Sequence, residues 1–144
     1  MLPADTPPKH YRVSVKALIT DEDNRLLMIQ ERGDHWSIPG GGLEHGEEIE
    51  VGLRREIYEE LGVEVTSIAK QPAFVWTSQN GKGGWCLCIC YPVTVESFGF
   101  TLADDVQATK FFEPEELIKA EIDPGEQPIA RHYYNHGQRG FSDQ

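Results

Sequence analysis

Polar and apolar positions alternate from Arg12 to Ile19. After the acidic turn Asp21-Glu22-Asp23-Asn24, a second apolar run follows at Leu26-Leu27-Met28-Ile29. The pair predicts a β-hairpin. Trp36-Ser37-Ile38-Pro39 reads as a short extended piece, stopped by Gly40-Gly41-Gly42. Over residues 47–61 the period changes: Ile49, Leu53, Ile57 and Leu61 recur every fourth position, which predicts a helix, and Gly62 is a suitable stop. Residues 63–68, 73–77, 85–95 and 106–112 read as strands, with Asn80-Gly81-Lys82-Gly83-Gly84 as a turn. A short helix runs from Glu113 or Pro114 to Ala120, and a last one from Glu126 to Asn135. Strands on both sides of a central helix predict an α/β (α+β) layered domain. The expectation is one domain over residues 1–144, with the Pro-rich residues 1–10 loosely held.

The central helix carries its charge in an unexpected place. At about 100° per residue, Glu56, Glu59 and Glu60 fall within roughly 100° of one another. This face borders the Ile49/Leu53/Ile57/Leu61 stripe, whereas a solvated charge face belongs on the far side. Gly52 lies on the carboxylate face, one turn before Glu56. Glycine there costs about 1 kcal/mol relative to alanine. It leaves room for something bulky or permits close backbone packing, and the sequence leaves both open.

Composition sharpens this. The chain has 144 residues, 39% hydrophobic and 26% charged, with 24 acidic against 13 basic residues and a net charge of -11. That balance argues against a nucleic-acid polymer or an anionic membrane as partner. No apolar run approaches the ~20 residues of a membrane span, and the first residues lack a signal-peptide pattern. Three cysteines cannot complete a disulfide framework, so the expected setting is cytoplasmic. The acid is concentrated: residues 41–63 hold seven glutamates and two arginines. Such density repels itself unless a cation offsets it. Three hard oxygen donors on a partly shielded face suit Mg²⁺, Mn²⁺ or Ca²⁺, and the alternation of an EF-hand loop is missing.

Gly41 is followed after five residues by Glu47, and after seven more by Arg55-Glu56-Ile57-Tyr58-Glu59-Glu60-Leu61-Gly62-Val63. This run resembles the Nudix box, G-x5-E-x7-R-E-U-x-E-E-x-G-U with U a bulky aliphatic, and all nine fixed positions match. The resemblance implies a mixed β-sheet sandwiched between helices, with the box forming a loop–helix–loop. It implies a hydrolase of nucleoside diphosphates linked to another group, with Mg²⁺ (or Mn²⁺) as cofactor. By position, Glu56, Glu59 and Glu60 match the family's metal-binding glutamates, and the Gly40 carbonyl matches a further ligand of some members. Arg55 matches an arginine that orients glutamates, and Glu47 one with a supporting role.

The chemistry agrees with the residues. A divalent ion screens pyrophosphate charge and lowers the pKa of bound water, and a carboxylate then takes the proton. Glu56 is the expected base. Asp104 or Asp105, before a late strand, is a candidate additional acid, beside the reading of an ordinary solvated turn. Arg32 and His35 are candidates to face a phosphate, and Trp36 and Trp76 to stack on a base, though core packing also explains a tryptophan. Cys86, Cys88 and Cys90, alternating on one strand, read as small core residues with thiols about 7 Å apart. His132 and His136 lack a third zinc ligand. The expected partner is a small nucleotide-type molecule, with a homodimer allowed. Subgroup marks are missing: Gln79 stands where ADP-ribose enzymes often carry proline. The alternative is a non-catalytic nucleotide-sensing module, which in such families often loses the glutamates that this chain keeps.

Overall fold

The computed structural model describes residues 3–4, 9–31, 33–79 and 83–136. Among the described residues, eight strands form two sheets: β1 (Tyr11–Leu18), β2 (Leu26–Gln30), β3 (Trp36–Ser37), β4 (Gly40–Gly42), β5 (Val65–Ile68), β6 (Phe74–Gln79), β7 (Trp85–Val95) and β8 (Ala108–Phe112). The helices are α1 (Ile49–Leu61), α2 (Pro114–Lys119) and α3 (Gln127–His136), the last preceded by a 3-10 turn at Pro124–Glu126. The larger sheet runs β4-β1-β7-β5, with β6 also on β7; the smaller runs β3-β2-β8. The pairing of β1 with β7 is parallel and the other strand pairs are antiparallel.

The expected hairpin forms only at its turn, where the Asp21 N–H bonds the Arg25 carbonyl at 3.1 Å and the Leu27 N–H the Ile19 carbonyl at 2.8 Å. β1 pairs with β4 and β7, while β2 pairs with β3 and β8. Beyond the end of β1, Thr20 bridges antiparallel to Leu26, and the pairing goes no further along the two strands. Local alternation made both strands visible, but partners are chosen by burial: Leu26 to Ile29 are all 0% exposed, and a strand buried on both faces belongs inside a fold.

Two apolar clusters fill the molecule. One joins α1 through Leu53, Ile57 and Leu61 to Val15 and Ala17 of β1. The other joins α3 and α2 through Ile129, Tyr133 and Leu117 to Cys88 and Cys90 of β7. Helices therefore cover both sides of the β1–β7 region, the layering predicted. α1 starts at Ile49, with Glu48 as its N-cap, so Glu47 stands in the preceding loop and not within the helix as expected. It ends where Gly62 takes φ 67°, its N–H bonding the Tyr58 carbonyl, a glycine stop as read. The cysteine stripe differs from expectation: Cys86 and Cys88 lean together, Sγ to Sγ 3.8 Å. No helix among the described residues is long and apolar enough to cross a membrane.

Candidate active site

The helix face, the preceding loop and β4 meet around one guanidinium. Arg55 donates from Nε and Nη2 to the two oxygens of Glu47, each at 2.8 Å. This is the two-point grip that a planar fork allows. Nη1 reaches Glu56 Oε1 at 2.9 Å and Glu59 Oε2 at 3.3 Å, and Nη2 reaches the Gly42 carbonyl at 3.2 Å. Hydrogen bonding from Arg55 holds the Glu47 carboxyl down at about 2. The same bond to Glu47 raises Arg55 above its ordinary value. Glu47 also accepts the Glu44 N–H at 3.0 Å, which pins the loop entering α1.

Glu60 is set apart. Its Oε1 accepts the Gly40 N–H at 2.8 Å. Burial pushes its carboxyl up to about 8, against the pull of that N–H and of Lys16. Glu56 is packed onto β4: a Cβ on Gly41 would lie 2.6 Å from Glu56 Oε2. Gly41 therefore makes space that any side chain would fill. The open question about Gly52 is answered by its neighbours, because a Cβ there would strike Leu43 and sit 3.0 Å from Glu47 Oε1. Close packing, not spare room, explains that glycine.

The arrangement suits a divalent cation. Glu56, Glu59 and Glu60 each keep one oxygen that accepts nothing from the described residues. A desolvated carboxylate such as Glu60 gains most from a nearby cation. Among the described residues no three such side chains already surround one point closely enough to hold an ion. Glu59, 57% exposed, is free to turn toward the other two.

The remaining candidates scatter. Arg32 lies outside the described residues. His35 is exposed. Trp36 stands edge-on to Phe112 with ring centroids 5.2 Å apart. It lines a cavity of about 490 Å³ with Asp34, Lys110, Phe112 and Lys119, where none of the box glutamates reaches. Trp76 is 7% exposed in the core, its Nε1 donating to the Gly125 carbonyl at 2.7 Å. Asp104 and Asp105 are exposed on a turn. Their loop is tied to the end of α1 by Ala103 N–H to Glu60 carbonyl (3.1 Å) and Thr101 N–H to Leu61 carbonyl (2.9 Å). His132 stacks on Phe74 at 4.4 Å.

One feature near the site has no sequence signal. Lys16 Nζ lies 3.2 Å from Glu126 Oε1, while Glu126 Oε2 accepts the Ile38 N–H at 2.7 Å. Burial would lower Lys16, but Glu126 and then Glu60 outweigh it and raise the ammonium. The partners are 110 residues apart in sequence, so only the fold brings them together.

A family profile described as NUDIX domain matches residues 10–133. A MutT-like protein of Streptomyces ambofaciens is 47% identical over 64 residues, 43% of this chain and 40% of that protein. An RNA pyrophosphohydrolase of Saccharophagus degradans is 40% identical over 55 residues, 37% of this chain and 32% of that one. The matched stretches thus span well under half of these relatives. In architecture the chain is similar to a MutT protein from Methanosarcina mazei, with TM-score 0.78, 18% identity, and coverage of 92% of this chain and 99% of that one.

Proposed function

Because the chain belongs to the NUDIX family, we propose that it is a metal-dependent pyrophosphohydrolase. Its substrate on this reading is a nucleoside diphosphate linked to another group, such as a nucleoside triphosphate or nucleotide sugar. The observation that carries this is that Glu56, Glu59 and Glu60 on one helix each keep an oxygen that accepts nothing from the described residues, with Glu56 and Glu59 on a guanidinium that Glu47 already holds and Glu60 on the Gly40 N–H. The name of one relative, RNA pyrophosphohydrolase, is of the same chemical class.

Glu56, Glu59 and Glu60 would hold Mg²⁺ or Mn²⁺, with the Gly40 carbonyl as a further donor. The cation supplies charge neutralisation for the phosphates and a water of lowered pKa. Arg55, fixed by Glu47, orients Glu56 and Glu59, since ligand carboxylates work only when their angles are set. Glu56 takes the proton from the attacking water. Asp104 or Asp105 supplies an additional acid from the loop tied to the end of α1. The reading places the protein in the cytoplasm, where Cys86, Cys88 and Cys90 stay as free thiols.

The test is product release, with Mg²⁺ or Mn²⁺, from nucleoside triphosphates, nucleotide sugars, dinucleoside polyphosphates and a 5′-triphosphate RNA oligonucleotide. Turnover of any of them supports the hydrolase. Folded protein that binds one of them and turns over none would favour the nucleotide-sensing alternative.

A further inference from the structure

β4 is the end strand of the larger sheet, and its two neighbouring glycines face different partners. The direction of a Gly41 Cβ is filled by the Glu56 carboxylate; that of a Gly42 Cβ is filled by the Arg12 guanidinium. A Cβ on Gly42 would lie 2.5 Å from Arg12 Nε and 2.7 Å from Cζ, so the guanidinium plane rests against the glycine backbone. Successive strand residues point to opposite faces and are about 3.3 Å apart. Arg12 and the Glu56 carboxylate therefore flank the same short strand, one on each side of its outer edge.

Among the described arginines, Arg12 and the distant helix residue Arg131 form no ion pair. Arg25, Arg54 and Arg55 each have a carboxylate partner. Arg12 is exposed and has no ion pair or hydrogen bond among the described residues. The chain carries 24 acidic residues against 13 basic, and a surface arginine in such company readily finds a carboxylate. Here the side chain is instead laid along a backbone that has no side chain to hold it away. A guanidinium with its donors free is the group that binds phosphate oxygens at two points.

We propose that Arg12 is a substrate-binding residue that grips a phosphate of the nucleotide across the edge of β4 from the carboxylates. This rests on the hydrolase reading and assigns it a contact outside the box. The phosphate is one that the metal does not hold, so the contact is made equally in the ground and transition states. Such contacts change KM and leave kcat nearly alone.

The experiment compares wild type, Arg12→Gln, Arg12→Lys and Gly42→Ala. Steady-state kinetics use the best substrate of the panel, and calorimetry measures binding of magnesium pyrophosphate. A lost charge-assisted contact is worth about tenfold or more in affinity. Arg12→Gln is expected to raise KM, and to weaken pyrophosphate binding, by about tenfold or more, with kcat within about threefold. Arg12→Lys recovers part of this. Gly42→Ala, which displaces the guanidinium, resembles Arg12→Gln. The metal-free melting point of Arg12→Gln stays at the wild-type value, which separates lost binding from lost structure. An active wild type with unchanged KM and pyrophosphate affinity in Arg12→Gln overturns the inference. A wild type that turns over nothing overturns the hydrolase reading instead, and the calorimetry still decides Arg12.

Discussion

Two clusters of charge lie on either side of β4, and they are built in opposite ways. The Lys16–Glu126 pair is closed: its side chains are 15% and 7% exposed, and Ile38 occupies what the pair leaves over, its N–H on Glu126 and its carbonyl 3.4 Å from Lys16. The carboxylate face of α1 is open: Glu59 is 57% exposed, and Glu56, Glu59 and Glu60 each keep an oxygen that accepts nothing from the described residues. A buried charge with every partner in place is a structural device. A crowd of like charges with unused acceptors is costly by itself, a cost that the proposed cation would offset.

The largest effect is expected from breaking the closed pair. Glu126→Gln keeps an acceptor for Ile38 but leaves the Lys16 ammonium buried without its counter-charge, which costs about 3–5 kcal/mol. Adding Lys16→Met recovers most of that loss. Urea unfolding of the single and double variants checks it, and a double variant no better than the single would mean the pair is not acting as a pair.

Glu60→Gln sharpens the contrast, because in the open cluster the same change separates activity from stability. Turnover with Mg²⁺ falls at least about 100-fold, since an amide is a poor ligand for the cation. Metal-free stability rises by about 0.5–2 kcal/mol, the range for relieving a functional-site compromise. This gain depends on pH. With Glu60 pushed up to about 8 by burial, the folded protein keeps a proton that the unfolded chain releases near 4.5. Its stabilising contribution is full below that value and is lost as pH rises through about 8. Metal-free melts from pH 5 to 9 should decline less steeply for Glu60→Gln than for wild type. A lower midpoint for the variant would make the Gly40–Glu60 hydrogen bond structural.

Arg55→Lys is the smallest change. Lysine cannot reproduce the two bonds to Glu47 together with those to Glu56 and Glu59. Activity drops while stability changes by less than about 1 kcal/mol, the usual scale for partly exposed ion pairs. Wild-type turnover in this variant would reduce Arg55 to a surface charge.

The open cluster was legible in the sequence and the closed one was not. Glu47, Arg55, Glu56, Glu59 and Glu60 fall within 14 residues of chain, so helical period alone places most of them on one face. The layered architecture was legible for the same reason, because each strand and helix announces itself by local spacing. Lys16 and Glu126 come from β1 and from a 3-10 turn before α3, and no local period links them. Arg12 was invisible for a related reason: its position against Gly42 depends on the β1–β4 register, Ser14 to Gly42. The hairpin that stops at its turn has that origin too. Alternation says that a segment is a strand, while the choice of partner depends on what the rest of the chain buries.

On the proposed reading, the glutamates of α1 are held ready for a divalent ion. Thermal melts of wild type in Mg²⁺ and in EDTA at matched ionic strength test it most directly. An ion bound to the native state alone stabilises by about 2.7 kcal/mol at 100 times its dissociation constant. The wild-type midpoint is expected several degrees higher in Mg²⁺, with a much smaller difference in Glu60→Gln. Identical wild-type midpoints at millimolar Mg²⁺ would contradict it.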